Sequence, residues 1–276
     1  MPIPLLDPNL RAGWEPETPA SDSILRAFLT NWSDLTAQEV ALHGGQELRR
    51  DDLVAYDLGR PAGFTNIVFL MAPLFPEGAR DIVDALDAFF EFNGSSKTGE
   101  VVIFSPWLTP DLRPHGWNLM GHPPFMLRAA GGELPPLPQG LRIERVCDAA
   151  GLIAAEQVIF NGFSDMDLSG ATPGDLFAPA LLNDDRMRFW VGWEGDAPVS
   201  MALGRVADGI NHVHIVATVP EARNRGYGKA LTWQATLADP SLPAVLIAST
   251  EGRPVYEKMG FLSVFRFTGW WRPRPG

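Results

Sequence analysis

Along this chain the spacing of apolar residues changes period several times, and each change predicts an element. Residues 1–20 carry five prolines and no period, and read as an extended arm. Ile24, Leu25, Phe28 and Leu29 share a helical face, which predicts one or two helices over 21–40, capped by Ser21, Asp22 or Ser23. Alternation predicts a polar strand at 47–58 and a more buried one at 65–70. Ile82, Val83, Leu86, Phe89 and Phe90 mark an amphipathic helix over 79–92, and EVVIF at 100–104 a short buried strand. GGELPPLPQG at 131–140 has no usable period and reads as a linker.

A second unit follows. LRIERV at 141–146 alternates as a strand, 148–159 is helical, 161–173 reads as a loop, and 173–182 carries a short helix. Strands at 188–193 and 199–203 are joined by Glu194-Gly195-Asp196, and Asp208-Gly209 makes the next turn. A strand from Ile210 ends near Pro220, and a helix runs from Gly228 to about Ala238. AVLIA at 244–248 is a buried strand, 254–259 a short helix, and 261–271 a last strand rich in aromatics. The predicted boundaries are an arm at 1–20, units at 21–130 and 141–276, and the linker between them.

Composition narrows the class. Apolar residues make up 46% of the 276 and charged ones 20%, as in a globular protein with a sizeable core. No apolar run is long enough to span a membrane, and the first residues lack a secretory pattern. Cys147 is the only cysteine, which points to a reducing compartment, the cytoplasm, and reads as a small buried hydrophobe rather than a catalytic thiol. The net charge of −11 is concentrated in the first half, where 9 Lys and Arg face 18 Asp and Glu up to residue 140. Nucleic acid is therefore not an expected partner. His43, His115 and His122 have no metal-ligand spacing, so no metal is expected.

The turn at 223–229 carries the strongest chemistry. Arg223-Asn224-Arg225-Gly226-Tyr227-Gly228-Lys229 sits between a strand and a helix, where unpaired backbone N–H groups and the positive end of the helix dipole meet. Gly226 and Gly228 permit close backbone approach, and Arg223 and Arg225 add cationic donors. Such a turn holds an anion, with phosphate the obvious guest.

Two motifs at a fixed order make this more specific. RNRGYG at 223–228 and PVYEKMGF at 254–261, following four strands, resemble the GNAT superfamily of N-acetyltransferases over residues 141–271. The resemblance implies a GNAT fold, an α+β class with a mixed, mostly antiparallel sheet flanked by helices, and acetyl-CoA as co-substrate. It places the coenzyme's pyrophosphate on Arg223 to Lys229 and its pantetheine arm on Val216, Ala217 and Thr218. It makes Tyr256 the acid that protonates the departing thiolate, a task suited to a phenol. His212 and His214 share one face of the strand, and by position His212 is the candidate base, with water as competitor. Ser249 falls where relatives place a coenzyme-contacting asparagine, although its hydroxyl is shorter.

TNIVFL, the turn PLFPEGA and the helix at 79–92 repeat the order of strand, turn and helix in the second half, without paired arginines or Gly-x-Gly. The first half therefore reads as a degenerate GNAT-like unit in a tandem chain. The expected activity is acetyl transfer to a primary amine, on a small molecule or a peptide, by direct attack in a ternary complex; a homodimer is compatible with it. A coenzyme-binding regulatory module without turnover, and a tandem acyltransferase using another donor or an amino-sugar conjugate, are the competing readings.

Overall fold

The computed structural model describes residues 23–58, 66–90, 100–163, 168 and 171–273. The arm expected over 1–20 and part of the loop expected over 161–173 lie outside them. One helix, α1 (Ile24–Leu42), replaces the one or two expected, and the Ser23 hydroxyl caps it by accepting from the Arg26 N–H at 3.2 Å. The polar segment at 47–58 is a hairpin of β1 (Gln46–Arg49) and β2 (Leu53–Asp57). Asp51 and Asp52, poor strand residues, supply its turn. Then come β3 (Ile67–Leu70), α2 (Ala79–Phe89), β4 (Glu100–Ser105), β5 (Asn118–Gly121) and β6 (Pro124–Arg128).

The second half contributes β7 (Leu141–Arg145), α3 (Ala149–Gly162), β8 (Met187–Glu194), β9 (Ala197–Ala207), β10 (Ile210–Thr218), α4 (Tyr227–Thr236), β11 (Ala244–Ile247), α5 (Arg253–Lys258), β12 (Leu262–Arg266) and β13 (Thr268–Pro273). Asp148 caps α3 by accepting from the Gly151 N–H at 2.8 Å. Asp208 and Gly209, both at positive φ, make the tight turn from β9 to β10. Cys147 is exposed on the surface connection just before that α3 cap, not buried as its residue type suggests. No helix among the described residues is long and apolar enough to cross a membrane.

These strands form two mixed sheets, ordered β1-β2-β3-β4-β13-β5 and β12-β6-β11-β10-β9-β8-β7. Only β3–β4 and β10–β11 pair in parallel. The α+β class holds. The sheets do not divide at the linker, however, because each half lends the other a strand. β6 enters the second sheet between β11 and β12, and β13 enters the first between β4 and β5.

The two exchanged segments pair with each other throughout. Residues 118–128 run antiparallel to 262–273, from Leu127↔Leu262 at one end to Asn118↔Trp271 at the other, as one ribbon passing through both sheets. At the crossing the Phe267 N–H donates to the Pro123 carbonyl at 2.9 Å, and Arg266 reaches the His122 carbonyl at 2.7 Å. The expected last strand at 261–271 is thus two strands in different sheets. β5 and β6 escaped prediction because LMGHPPFMLR offers only short apolar pieces broken by prolines. Pro124 is tolerated as the first residue of β6.

A shared core lies between the sheets, where Phe28 of α1 packs edge-on against Phe125 and Phe267, with ring centroids 5.0 and 5.8 Å apart. Phe69 and Phe104 join it from the first sheet, and Ile210 and Val245 from the second. α1 also carries polar groups into this seam. Arg205, 1% exposed, approaches Gln38 Oε1 at 3.4 Å and Asp184 at 3.8 Å. Burial pushes the Glu39 carboxyl up to about 8, with Arg205 opposing.

The exchange predicts that neither half folds alone. A fragment of 131–276 keeps both motifs but lacks β6, the strand between β11 and β12. It should show no cooperative thermal transition by circular dichroism, and co-expression with residues 21–130 should restore one. A sharp transition in the isolated fragment would show that β6 is dispensable.

Candidate active site

The site grows from the way β10 leaves β11. Their parallel pairing covers Asn211↔Ala244 and His212↔Val245 only. Asn211 fastens that end: its amide donates to the carbonyls of Asp239 (2.7 Å) and Leu242 (3.2 Å), and its Oδ1 accepts from the Asp239 N–H. Beyond His212 an irregularity at 213–215 bends β10 against β9, and the two parallel strands part. The Val219 N–H still donates to the Val199 carbonyl at 3.0 Å. Alternation therefore turns the backbone groups of Ala217 toward β9, and those of Val216 and Thr218 toward the gap.

A cavity of about 500 Å³ opens at this gap, lined by His212, His214, Val216, Ser249 and Tyr256 from the second half, and by side chains of α1, β4, β5 and β13. His212 Nδ1 lies 3.1 Å from Asn31 Oδ1, while the Asn31 amide donates to the Ala207 carbonyl. That assigns the proton to Nδ1 and leaves Nε2 as the acceptor. Burial, reinforced by the neighbouring His214 with its ring centroid 5.1 Å away, holds the His212 pKa well below the usual imidazole range. Burial likewise lowers His214 to about 4. Both rings are neutral at pH 7.

Tyr256 stands on α5, its ring packed 6.0 Å from that of Phe261, and burial raises its phenol to about 12. The Ser249 hydroxyl accepts from the Gly252 N–H at 3.0 Å, so it braces the turn into α5.

The Arg223–Lys229 turn lies next to the cavity's strand but outside its lining. Asn224 and Gly226 have positive φ, and Gly226 precedes α4 without a side-chain cap. The first α4 rung is Ala230 N–H to Gly226 O, which leaves the N–H groups of Tyr227, Gly228 and Lys229 ahead of the ladder. A Cβ at Gly228 would come within 2.9 Å of Thr218 Oγ1, so glycine is required by that close approach. Backbone donors at a helix start suit a phosphate. The arginines are engaged elsewhere. Arg223 donates to the carbonyls of Gly162 (2.6 Å) and Thr218 (3.2 Å), and Arg225 forms a bidentate pair with Glu194 while covering the Tyr227 ring. Tyr227 itself is buried, its hydroxyl 3.4 Å from the Gln139 carbonyl of the linker. Among the described residues, no group of three or more His, Cys, Asp or Glu could hold a metal ion.

Comparison with known proteins finds a family match within the second half. An acetyltransferase (GNAT) domain model matches residues 173–266. The fold likeness extends over both halves. A GCN5-related N-acetyltransferase from Kribbella flavida has a TM-score of 0.59 at 18% identity, covering 88% of this chain and 95% of its own. A putative GNAT-family acetyltransferase from Novosphingobium aromaticivorans gives 0.52 at 15%, over 87% and 95%. A GCN5-related N-acetyltransferase from Sphaerobacter thermophilus gives 0.53 at 13%, over 84% and 77%. At these identities the likeness shows the fold alone. A search of curated proteins found no match.

Around the cavity the second half gathers His212, Val216, Ser249 and Tyr256, while Ala217, Thr218 and the 223–229 turn lie along the adjoining strand and helix start. Sequence reading missed the groups that come from the first half, above all Asn31 and Trp32. No local signal marks them, since their place follows from strand exchange and the seat of α1.

The lowered histidines make stability depend on pH. A His whose folded pKa lies below its unfolded one contributes no penalty above the unfolded value near 6.5, and destabilises the fold as pH falls toward the folded value. His214→Phe should remove its share, so wild type should lose about 2 kcal/mol relative to the variant between pH 6.5 and 4. Urea unfolding of both proteins across that range measures the difference; a constant difference would refute the assignment.

Proposed function

We propose that the protein is an N-acetyltransferase that moves the acetyl group of acetyl-CoA to a primary amine by direct attack in a ternary complex. One observation carries the reading: β10 parts from β11 beside a cavity that holds Tyr256 and adjoins a helix start with free backbone donors. The backbone N–H groups of Tyr227, Gly228 and Lys229 would hold the pyrophosphate, with Lys229 adding charge at the rim. The backbone groups of Val216, with the Thr218 N–H, would pair with the pantetheine arm, and an N–H there would stabilise the oxyanion.

In the reaction the amine nitrogen attacks the thioester carbonyl carbon. A C–N bond forms and the C–S bond breaks, its electron pair going to sulfur. The ammonium proton passes to His212 Nε2, directly or through water, and the Tyr256 phenol gives its proton to the thiolate and regains one from solvent. With its pKa raised to about 12 by burial, Tyr256 carries that proton at neutral pH. Low basicity at His212 makes it a relay more than a strong base, so proximity and oxyanion stabilisation supply most of the rate.

The first half repeats the second in outline, with an antiparallel ladder followed by one parallel pair, β2-β3-β4 beside β9-β10-β11. This supports reading it as a degenerate GNAT-like unit that walls the cavity and binds no coenzyme of its own, since PLFPEGA lacks the Gly-x-Gly turn.

Tyr256→Phe should lower kcat about 100-fold, while the Kd for coenzyme A by calorimetry stays the same. Gly228→Val should do the reverse, raising that Kd about tenfold or more by closing the backbone approach. Unchanged turnover in Tyr256→Phe would remove the tyrosine as acid. Tight coenzyme binding with no thiol release across a broad amine panel would favour a regulatory module.

A further inference from the structure

The wall of the cavity that faces away from the coenzyme turn is aromatic and nearly uncharged. Phe28 and Trp32 come from α1, Phe104 from β4, Met120 from β5 and Trp271 from β13. The cavity's volume of about 500 Å³ is shared, since Val216, Ser249 and Tyr256 would border the coenzyme's arm and acyl group, and the aromatic wall beyond them bounds the space left for an acceptor.

Its electrostatics select further. Among the described lining residues there is no lysine or arginine, and Glu100 is the one carboxylate. The cavity keeps the imidazoles of His212 and His214 neutral by withholding water. Surroundings that strip charge from two imidazoles also disfavour an alkylammonium, and so present an amine in its neutral, nucleophilic form. Aromatic faces can balance a single cation, whereas a molecule with several would leave charges buried and unpaired.

We propose that the acceptor is a compact, apolar primary amine of the arylalkylamine type, its ring seated among Trp32, Phe104 and Trp271 and its nitrogen presented to the gap between β10 and β11. The inference rests on the acyltransferase reading above and adds the acceptor class to it.

Full-length protein with acetyl-CoA, assayed by initial rates of thiol release, tests it with 2-phenylethylamine, butylamine, kanamycin and a lysine-containing peptide. The kcat/KM for 2-phenylethylamine should exceed those for kanamycin and the peptide by about 30-fold or more. Trp271 is only half-buried, so Trp271→Ala should fold. It should cut the preference for 2-phenylethylamine over butylamine about tenfold and leave the Kd for coenzyme A unaltered. A higher kcat/KM for kanamycin or the peptide overturns the proposal. So does a clear preference for hexanoyl-CoA over acetyl-CoA with no discrimination among amines, which would assign the cavity to the acyl chain. If coenzyme A binds and no amine releases thiol, the acyltransferase reading falls and this inference falls with it.

Discussion

The hydrogen bond from the Phe267 N–H to the Pro123 carbonyl marks the constraint on which the rest depends. There two chain segments cross, and each leaves its own half to complete the other's sheet. A sheet with a vacant place between two strands exposes two rows of unpaired backbone groups, so the exchange couples the folding of one half to that of the other. It also brings four aromatic rings, Phe28, Phe125, Phe265 and Phe267, into contact at the junction, where Phe125 and Phe265 stack at 4.9 Å. Polar strand pairing and apolar burial are met by the same few residues.

The cavity is a consequence of this arrangement. One wall is the open edge of β10, a product of the irregularity after Val213 and of the short pairing with β11. The opposite wall exists because α1 is held between the sheets and β13 runs inside the first of them. Two neutral histidines, a phenol with a raised pKa and a ring of aromatics share one cause, the exclusion of water from the seam between the halves. The shifted histidines and tyrosine and the apolar wall beside them are thus results of a single desolvated environment.

Much of the second half was legible in the chain itself. RNRGYG and PVYEKMGF are local devices: a glycine that must admit a neighbouring hydroxyl, a left-handed residue before a helix, and a tyrosine on a short helix act through residues close in sequence. Their chemistry survives translation into coordinates, although Arg223 and Arg225 spend their donors on Gly162, Thr218 and Glu194. The aromatic run at 261–271 was legible as a strand but not as two, because periodicity reports burial and says nothing of which sheet provides it. The segment 118–128 gave still less, since a short apolar stretch broken by two prolines matches a turn as well as a strand.

By itself, then, the sequence determined the run of strands and helices from β7 to α5, the helix-start turn, the tyrosine and the two histidines on one strand face. All of these depend on backbone preference and side-chain period, which act over a few residues. Tertiary structure alone decided that β6 and β13 change sheets, that Asn31 orients His212, and that Trp32 and Trp271 face the same cavity. Those contacts join residues 116 to 239 positions apart in the chain. They form only when the buried area and completed hydrogen-bond ladders of both halves are gained together, and no local pattern records that sum.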